Sequence, residues 1–363
     1  MDSSSSKVLE NVQDYYGKVL QSSNDLKTQA CINPGKTVNQ YVACAISEVH
    51  SDVAARYYGC GLAIPPSVTG ARILDLGSGS GRDCFALSKL VGASGEVVGV
   101  DMTSEQINVA NEYIKYHTEK FNYSQSNVRF VQGYIENLVK AGLQSNYFDI
   151  IISNCVVNLS PDKKSVLSEA FNVLKPGGEL YFSDMYTDTD LSDEVKKDKV
   201  LWAEGFSGAL HWKNLHSLAK DVGFSKPYLM SCSPINIDRE DFKSVLGKAR
   251  FCSATYRLFK LPSDHKTLSK GQVIYKGEIP GHEDLFQFDH TIKLMSGSPI
   301  CVSSEIMTVL QACRLRDEFK FGPAVKDVCC VDVPEEEDPF QIFKGKQKIN
   351  MEKLKQCPKS GCC

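Results

Sequence analysis

The residues best suited to chemistry lie in a glycine-rich segment, Gly77-x-Gly79-x-Gly81, and in an aspartate that follows it. Glycines at this spacing bend the chain sharply at a strand end and let the backbone approach a ligand closely. A second buried-type strand ends at Asp101, where a carboxylate can accept both hydroxyls of a ribose. Asp75 precedes the glycines, and the third glycine comes one residue too early for the dinucleotide pattern. The spacing therefore favours S-adenosylmethionine over NAD.

Cysteine thiols form the second group of candidate residues, and the chain has 14 of them. Cys155 directly follows a predicted strand, at the sheet edge where ligands of open parallel sheets bind. Cys60 lies between two glycines at a predicted helix end, and Cys31 lies in a loop between two predicted helices that can fold over the cofactor. Each also has a simpler interpretation: a small core residue for Cys155, helix termination at Cys60 and an exposed loop thiol for Cys31.

Composition excludes several classes of protein. The 363 residues have a formal net charge of −3, so no basic surface for nucleic acid is predicted. No apolar run is long enough to span a membrane, and the N-terminal residues lack a secretory pattern. We therefore expect a cytosolic protein with no nucleic-acid or membrane partner, whose cysteines stay reduced rather than forming a permanent disulfide framework.

The order of predicted elements indicates an α/β fold. From residue 71 onwards, strands and helices alternate regularly, as a parallel sheet with helical crossovers requires. The predicted strands are residues 72–76, 97–101, 128–132, 148–153 and 179–184. The predicted helices are residues 6–22, 38–58, 81–91, 103–120, 135–141, 162–174, 191–205 and 213–222. We predict a Rossmann-like class I methyltransferase sheet with an N-terminal helical lid and a smaller C-terminal α+β domain. The predicted boundaries are residues 1–70 for the lid, 71–235 for the cofactor-binding domain, 236–320 for the C-terminal domain and 321–363 for a flexible, cysteine-containing tail.

Other side chains are less informative. Tyr57 and Tyr58 can cover a sulfonium or an adenine, because a cation is attracted to an aromatic face, or they can be helix core. The seven histidines have no metal-ligand spacing, so no zinc site is predicted. The glycine-flanked serine of hydrolases and the phosphate-binding loop are absent from the sequence.

Several motifs together resemble the animal-type arsenite methyltransferases along almost the whole chain. The glycine loop alone is shared by many methyltransferases, whereas the cysteines inside three of the motifs make the match specific. The motifs are Asp14-Tyr-Tyr-Gly17, Arg56-Tyr-Tyr-Gly-Cys-Gly61, Leu74-Asp-Leu-Gly-Ser-Gly-Ser-Gly-Arg-Asp-Cys84, Gly133-Tyr-Ile-Glu136, Ser153-Asn-Cys-Val156, Glu179-Leu-Tyr-Phe-Ser-Asp184 and Ser253-Ala-Thr-Tyr-Arg-Leu-Phe259.

The resemblance implies that cysteine thiolates capture arsenite, or its glutathione adduct, for stepwise methylation from S-adenosylmethionine. Cys31, Cys60 and Cys155 match three of the family's functional cysteines and are the expected catalytic, arsenic-binding residues. The family has a fourth cysteine in a Trp-x-Glu-Cys context, but this chain reads Trp202-Ala-Glu-Gly205. The missing cysteine puts in doubt the usual pairing of Cys155 with a partner across the site. Cys252 is one candidate to replace the missing thiol.

The resemblance also assigns cofactor contacts and partners. The expected substrates are arsenite and methylarsenite, with glutathione or thioredoxin as the external thiol reductant, and a monomer is expected. The cofactor-binding residues carried over are Asp75, Gly77 and Gly79 for the methionine end, Asp101 and Met102 for the ribose and adenine, Ile135 and Glu136 for the adenine edge, Asn154 for a backbone-side contact and Tyr57 near the sulfonium.

Two other functions stay open at this point. The phrase Val173-Leu-Lys-Pro-Gly-Gly-Glu179 also occurs in methyltransferases that act on carbon or oxygen of a quinone, sterol or phenol. The missing fourth cysteine is compatible with a thiol-rich arsenic-binding protein that has lost catalysis. An NAD-dependent oxidoreductase is disfavoured by the glycine spacing.

Overall fold

The computed structural model describes residues 3–20, 25, 39–59, 63–324 and 329–344. Its strands form one large sheet and two small ones. The strands are β1 Arg72–Leu76, β2 Glu96–Asp101, β3 Val128–Gln132, β4 Phe148–Asn154, β5 Leu174–Thr187, β6 Leu210–His211, β7 Tyr228–Ile235, β8 Phe251–Phe259, β9 Gly271–Tyr275, β10 Leu285–Gln287, β11 Lys293–Met295, β12 Pro299–Val302 and β13 Phe319–Pro323.

Helices precede, cover and follow the large sheet, and a π-helical turn, Tyr15–Val19, extends the first of them. The helices are α1 Ser3–Asp14, α2 Gln40–Ser47, α3 Ser51–Ala54, α4 Arg82–Val91, α5 Ser104–Glu112, α6 Ile114–Lys120, α7 Lys163–Val173, α8 Asp193–Lys197, α9 Lys199–Ala203, α10 Trp212–Val222, α11 Glu240–Leu246, α12 Ser304–Ala312 and α13 Pro339–Lys344. None of the described helices is long and apolar enough to cross a lipid bilayer.

The large sheet has the strand order β3-β2-β1-β4-β5-β8-β7, with β6 paired to β5. Strands β1 to β5 pair in parallel, and β8 is antiparallel to both β5 and β7. The carboxyl ends of β1, β2 and β4 therefore meet at one edge of the sheet. This arrangement confirms the predicted class I methyltransferase fold.

The C-terminal part adds a sheet of β12, β9 and β13 and the hairpin of β10 and β11. The sequence analysis placed the strand now seen as β8 in the C-terminal domain, but it pairs with β5 inside the main sheet. Part of the predicted flexible tail is also structured: Cys330 forms a disulfide with Cys301, contrary to the expectation that the cysteines stay reduced, and Phe340 of α13 packs in the main core.

Most predicted elements of the N-terminal region and the main sheet lie where the sequence placed them, with four exceptions among the helices. The short helix predicted at residues 135–141 consists of turns. The helix predicted at 103–120 is broken at Tyr113, and the one predicted at 38–58 is divided into α2 and α3. The helix predicted at 191–205 is likewise divided, into α8 and α9.

A buried ion network joins the main sheet to the C-terminal part. Glu179 on β5 and Arg257 on β8 are both fully buried, and Arg257 Nε donates to Glu179 Oε1 over 2.8 Å. Arg314, just after α12, donates from Nε to the other oxygen of Glu179 over 2.8 Å. The same guanidinium also donates to the carbonyls of Pro66 and Ser67. One carboxylate thus anchors three separate stretches of chain.

We predict that Glu179→Gln lowers the free energy of unfolding by about 3–5 kcal/mol, because it leaves a buried guanidinium without its counter-charge. Urea unfolding followed by circular dichroism measures the change. The matched control is Glu240→Gln, whose exposed pair with Lys243 is expected to contribute no more than about 1 kcal/mol. Equal, small losses in both variants would contradict the anchoring role.

Candidate functional site

A cavity with an empty volume of about 970 Å³ lies at the carboxyl edge of β1, β2 and β4. Its walls come from the glycine loop after β1, the segments after β2, β3 and β4, and side chains of α1 and of the stretch after α3. The position is the one expected for a ligand of an open α/β sheet.

The cavity gathers almost all of the predicted site residues. Cys31 and Cys60 lie outside the described residues. The others line this one cavity: Tyr57, Asp75, Gly77, Gly79, Asp101, Met102, Ile135, Glu136, Asn154 and Cys155.

The glycine loop leaves room for a ligand where the sequence predicted it. Gly77 and Gly79 both have positive φ, +69° and +52°. A Cβ at Gly77 would lie 2.4 Å from Val156 Cγ2, so only glycine fits there. A Cβ at Gly79 would have no heavy atom within 4 Å, so this backbone faces open space in the cavity. A ligand can therefore approach the backbone at Gly79 closely.

Asp101 is held in a fixed orientation at the end of β2. Its Oδ2 accepts the Gly79 backbone N–H over 2.9 Å, and its Oδ1 accepts the Thr103 backbone N–H over 2.8 Å. A carboxylate oxygen has two lone pairs, so each can accept a further hydrogen bond from a ligand hydroxyl. Burial raises the pKa of Asp101, and the two backbone donors partly oppose this shift.

Three acidic side chains, Asp75, Asp83 and Asp101, are brought together around the cavity. The pKa of Asp75 is raised well above its ordinary value, first by burial and then by the charge of Asp83. Burial also raises the pKa of Asp83, although the neighbouring Arg82 guanidinium opposes the shift. The wall is thus rich in acidic groups that burial holds away from water. A cationic ligand would stabilise their ionised forms.

Tyr57 belongs to a polar cluster with Asn154, Arg82 and Asp83. Asn154 donates from Nδ2 to the Tyr57 hydroxyl and lies 3.5 Å from Asp83 Oδ2. The Arg82 guanidinium lies 3.7 Å from the centre of the Tyr57 ring, so one face of this ring already contacts a cation. Burial, followed by the charge of Asp83, raises the pKa of Tyr57, which therefore stays a neutral hydroxyl.

Further polar groups of the cavity fit a ligand with hydrogen-bonding groups of its own. The Ser160 hydroxyl donates to Glu136, which is buried. The Ser78 hydroxyl and Gln106 Oε1 are buried with no hydrogen-bond partner among the described residues. Buried polar atoms are normally paired, so these two atoms point to a bound polar group.

Cys155 lies directly after β4 in an unusual backbone conformation. Its φ is +57°, a region that residues other than glycine rarely adopt. Its backbone N–H donates to the Ser183 carbonyl over 2.8 Å, and its side chain belongs to an apolar cluster with Met185 and Phe206. The side chain is disulfide-bonded in the structure. Backbone strain of this kind concentrates at functional sites.

Gly205, where the resembling family has a cysteine, lies against the same apolar cluster. It has a φ of +85°, and a Cβ there would lie 2.4 Å from Met185 Cε. The contact is with the end of a flexible side chain, which can move. Cys252 does not replace the missing thiol, because it is buried on β8 in the main core and burial raises its pKa.

The sequence analysis missed several cavity residues. Arg82 and Asp83 were quoted within the glycine-loop motif but received no role, although they open α4 beside the ligand space. Tyr16 and Gln106 were also missed; the Tyr16 carbonyl accepts from Gln106 Nε2 over 3.1 Å and joins the N-terminal segment to α5. The charged pair directly after the glycines was a usable signal, whereas the Tyr16 contact depends on tertiary packing.

Comparisons with known proteins show the family to which the chain is related. Residues 67–223 match the family described as a methyltransferase domain, and residues 268–363 match the arsenite methyltransferase C-terminal domain. Arsenite methyltransferase of Rattus norvegicus is 44% identical, with 98% of this chain and 96% of the relative covered. Arsenite methyltransferase of Aquipseudomonas alcaligenes is 50% identical over 86% of this chain and 90% of the relative.

A solved structure gives the same result. The crystal structure of an arsenic(III) S-adenosylmethionine methyltransferase from Chlamydomonas reinhardtii has a TM-score of 0.75 and 40% identity. The match covers 79% of this chain and 97% of that one. A quinone methyltransferase of Vibrio cholerae is 31% identical over only 52% of this chain, so the quinone alternative is not favoured. With both domain families matched and relatives aligned over nearly its full length, the chain belongs to the arsenite methyltransferase family.

Proposed function

We propose that this enzyme transfers methyl groups from S-adenosylmethionine to trivalent arsenic held by the thiolates of Cys31, Cys60 and Cys155. The observation that carries the proposal is the placement of Cys155 on the wall of the cavity that also contains Asp75, Gly79 and Asp101. The cofactor residues and a candidate arsenic ligand therefore open into one space, as direct transfer between them requires.

The cavity suits S-adenosylmethionine in charge and shape. The cofactor supplies an activated methyl group on a positively charged sulfur. Asp75 and Asp83 provide negative charge for its cationic end, and Asp101 offers acceptors for the ribose hydroxyls. Gly77 and Gly79 let the backbone approach the methionine end. Met102, Ile135 and Glu136 would contact the adenine, Asn154 would make a backbone-side contact, and Tyr57 would lie near the sulfonium.

The chemistry of arsenic explains why the site needs thiolates. Trivalent arsenic is soft and thiophilic, so cysteine sulfurs are its natural protein ligands. Three thiolates complete its valence and leave a lone pair, which is the nucleophile. This atom carries no proton, so no general base is required. The protein's contribution is placement, and holding two reactants in line can supply roughly 7–11 kcal/mol.

Turnover also needs electrons. Methylation converts arsenic(III) to arsenic(V), and its return to arsenic(III) takes two electrons from two thiols, which become a disulfide. An external thiol, glutathione or thioredoxin, then reduces that disulfide by exchange. The disulfide-bonded state of Cys155 in the structure agrees with this requirement, because its thiolate must be released before arsenic can bind. We infer that the enzyme works as a cytosolic monomer on arsenite and then methylarsenite.

Methyl transfer from radiolabelled S-adenosylmethionine to arsenite tests the proposal. With a thiol reductant, we expect label in arsenic species, and without it no sustained turnover. Cys155→Ser and Cys60→Ser should abolish transfer but still bind cofactor. Cys44→Ser, which changes an exposed thiol on α2, is the matched control and should keep full activity. Full activity in both Cys155→Ser and Cys60→Ser would reject thiolate capture.

Asp101→Ala is expected to weaken cofactor binding about tenfold or more. The loss of an acceptor for a buried ribose hydroxyl costs about 1–3 kcal/mol, and each 1.4 kcal/mol is a factor of about ten. Asp101→Asn keeps one acceptor oxygen and should give an intermediate loss. Calorimetric titration with S-adenosylhomocysteine measures both. An affinity unchanged in the alanine variant would remove Asp101 from the ribose site.

Gly205→Cys restores the thiol found in the family, and we expect more highly methylated arsenic products. Because φ at this position is +85°, any side chain there should destabilise the fold by about 1–2 kcal/mol. Gly205→Ala introduces the same strain without sulfur and is the control for it. Chromatography of the arsenic products compares the three proteins. Identical product distributions in the cysteine and alanine variants would show that a thiol here does not reach the reaction.

A further inference from the structure

Three metal-ligating side chains meet in the C-terminal part of the molecule, among residues that do not line the cofactor cavity. Asp289 and His290 lie in the turn between β10 and β11, and Glu337 lies two residues before α13. One ligand atom from each of the three lies within 4.8 Å of the others. Nothing in the proposed methyl transfer uses them.

Each of the three side chains has a buried polar atom without a hydrogen-bond partner among the described residues: Asp289 Oδ2, His290 Nδ1 and Glu337 Oε2. Asp289 is fully buried. Its other oxygen, Oδ1, accepts from the backbone of Thr291 over 2.8 Å and of Ile292 over 2.6 Å. The backbone thus fixes this carboxylate and leaves its second oxygen for another partner. Buried polar atoms are rarely left unpaired, so the coincidence of three points to a ligand.

The charge of the cluster identifies the kind of ligand. Among the residues that the structure describes, the one ion pair of the trio lies within it, between His290 Nε2 and Glu337 Oε1 at 3.0 Å. Within the described ranges, no lysine or arginine forms an ion pair with Asp289 or Glu337. The nearby lysines have other acidic partners: Lys226 pairs with Glu305, and Lys213 with Glu336. Two carboxylates therefore share one imidazole, which supplies at most one positive charge.

A neighbouring histidine adds to this arrangement. His216 of α10 has a buried Nε2 without a partner among the described residues. Burial lowers the pKa of His216, while the acidic residues Glu335, Glu336 and Glu337 raise it, and the net direction is downwards. His216 is not one of the three side chains that meet, but it is a further imidazole beside the same acidic run.

We propose that Asp289, His290 and Glu337 form a binding site for a divalent transition-metal ion, with Zn²⁺ as the best match. Zinc takes imidazole nitrogen together with carboxylate oxygen, whereas Ca²⁺ and Mg²⁺ prefer all-oxygen sites. The ion would replace the internal contact between His290 and Glu337 and neutralise the second carboxylate. Histidine spacing could not reveal this site, because Glu337 is far along the chain from His290.

The ion would join two stretches of chain that each contact the main sheet. The backbone N–H of His290 donates to the Leu229 carbonyl of β7 over 2.8 Å. Glu337 leads directly into α13, whose Phe340 packs in the main core. Bound metal would therefore hold the acidic segment and α13 against β7 and β8. The site would be structural, and its loss would leave methyl transfer chemistry intact.

Cobalt(II) titration of the full-length protein tests the site. Accessible thiols are first alkylated with N-ethylmaleimide, because they would also bind soft metals. We expect one equivalent of cobalt with weak visible bands and without the near-ultraviolet thiolate charge-transfer band, displaced by added ZnCl₂. Asp289→Asn and Glu337→Gln should each weaken binding by roughly tenfold or more. Glu335→Gln, in the same acidic run, is the matched control and should bind normally.

Two results would overturn the proposal. One is the absence of stoichiometric cobalt binding after thiol alkylation, and the other is equal binding by the wild type, Asp289→Asn and Glu337→Gln. Far-ultraviolet circular dichroism checks that each variant is folded. Glu337 is partly exposed, so Glu337→Gln keeps the test decisive if Asp289→Asn disrupts the turn. Zinc-edge anomalous diffraction from soaked crystals must then place the ion between the three side chains.

Discussion

The cofactor site depends on acidic side chains that are buried together where β1 and β2 end. Burial raises the pKa of Asp75, Asp83 and Asp101, so their ionised forms are disfavoured without a ligand. A group whose pKa is raised in the folded state contributes less to stability as the pH rises through that pKa. Ionisation of these groups in the ligand-free fold is therefore unfavourable, and a cationic ligand removes part of that penalty. The acidic wall of the cavity therefore favours the binding of a cationic ligand.

The second constraint acts on the backbone at the same edge. Gly77 must be glycine because Val156 occupies the space of a Cβ, and Val156 directly follows Cys155. The glycine loop and the turn after β4 are thus packed against each other. Cys155 accepts a strained φ of +57° in this turn. The strain is maintained because the parallel pairing of β1 with β4 fixes both loops at once. The pairing of β1 with β4 therefore positions both the glycine loop and the Cys155 thiol.

The sequence predicted the parts of this structure that depend on local pattern. The bounds of β1 and β3 match the predictions, because buried apolar runs between turns are strong local signals. Two kinds of feature could not be predicted from the sequence. The antiparallel insertion of β8 next to β5 depends on pairing between distant segments, which composition does not encode. The contact between the Tyr16 carbonyl and Gln106 joins the N-terminal segment to α5, and only tertiary packing reveals it.

In the proposed reaction thiols have two roles, holding arsenic and reducing it, and the glycine at position 205 affects only the second. Holding trivalent arsenic takes three thiolates, and Cys31, Cys60 and Cys155 satisfy that number without a fourth. Returning arsenic(V) to arsenic(III) takes two more electrons, and a cysteine at Gly205 would lie beside the Met185 cluster that also contains Cys155. With glycine at this position, a nearby electron source is missing, while the binding set is unchanged. Capture of arsenic should therefore be preserved, and its reduction should depend more strongly on thiols supplied from solution.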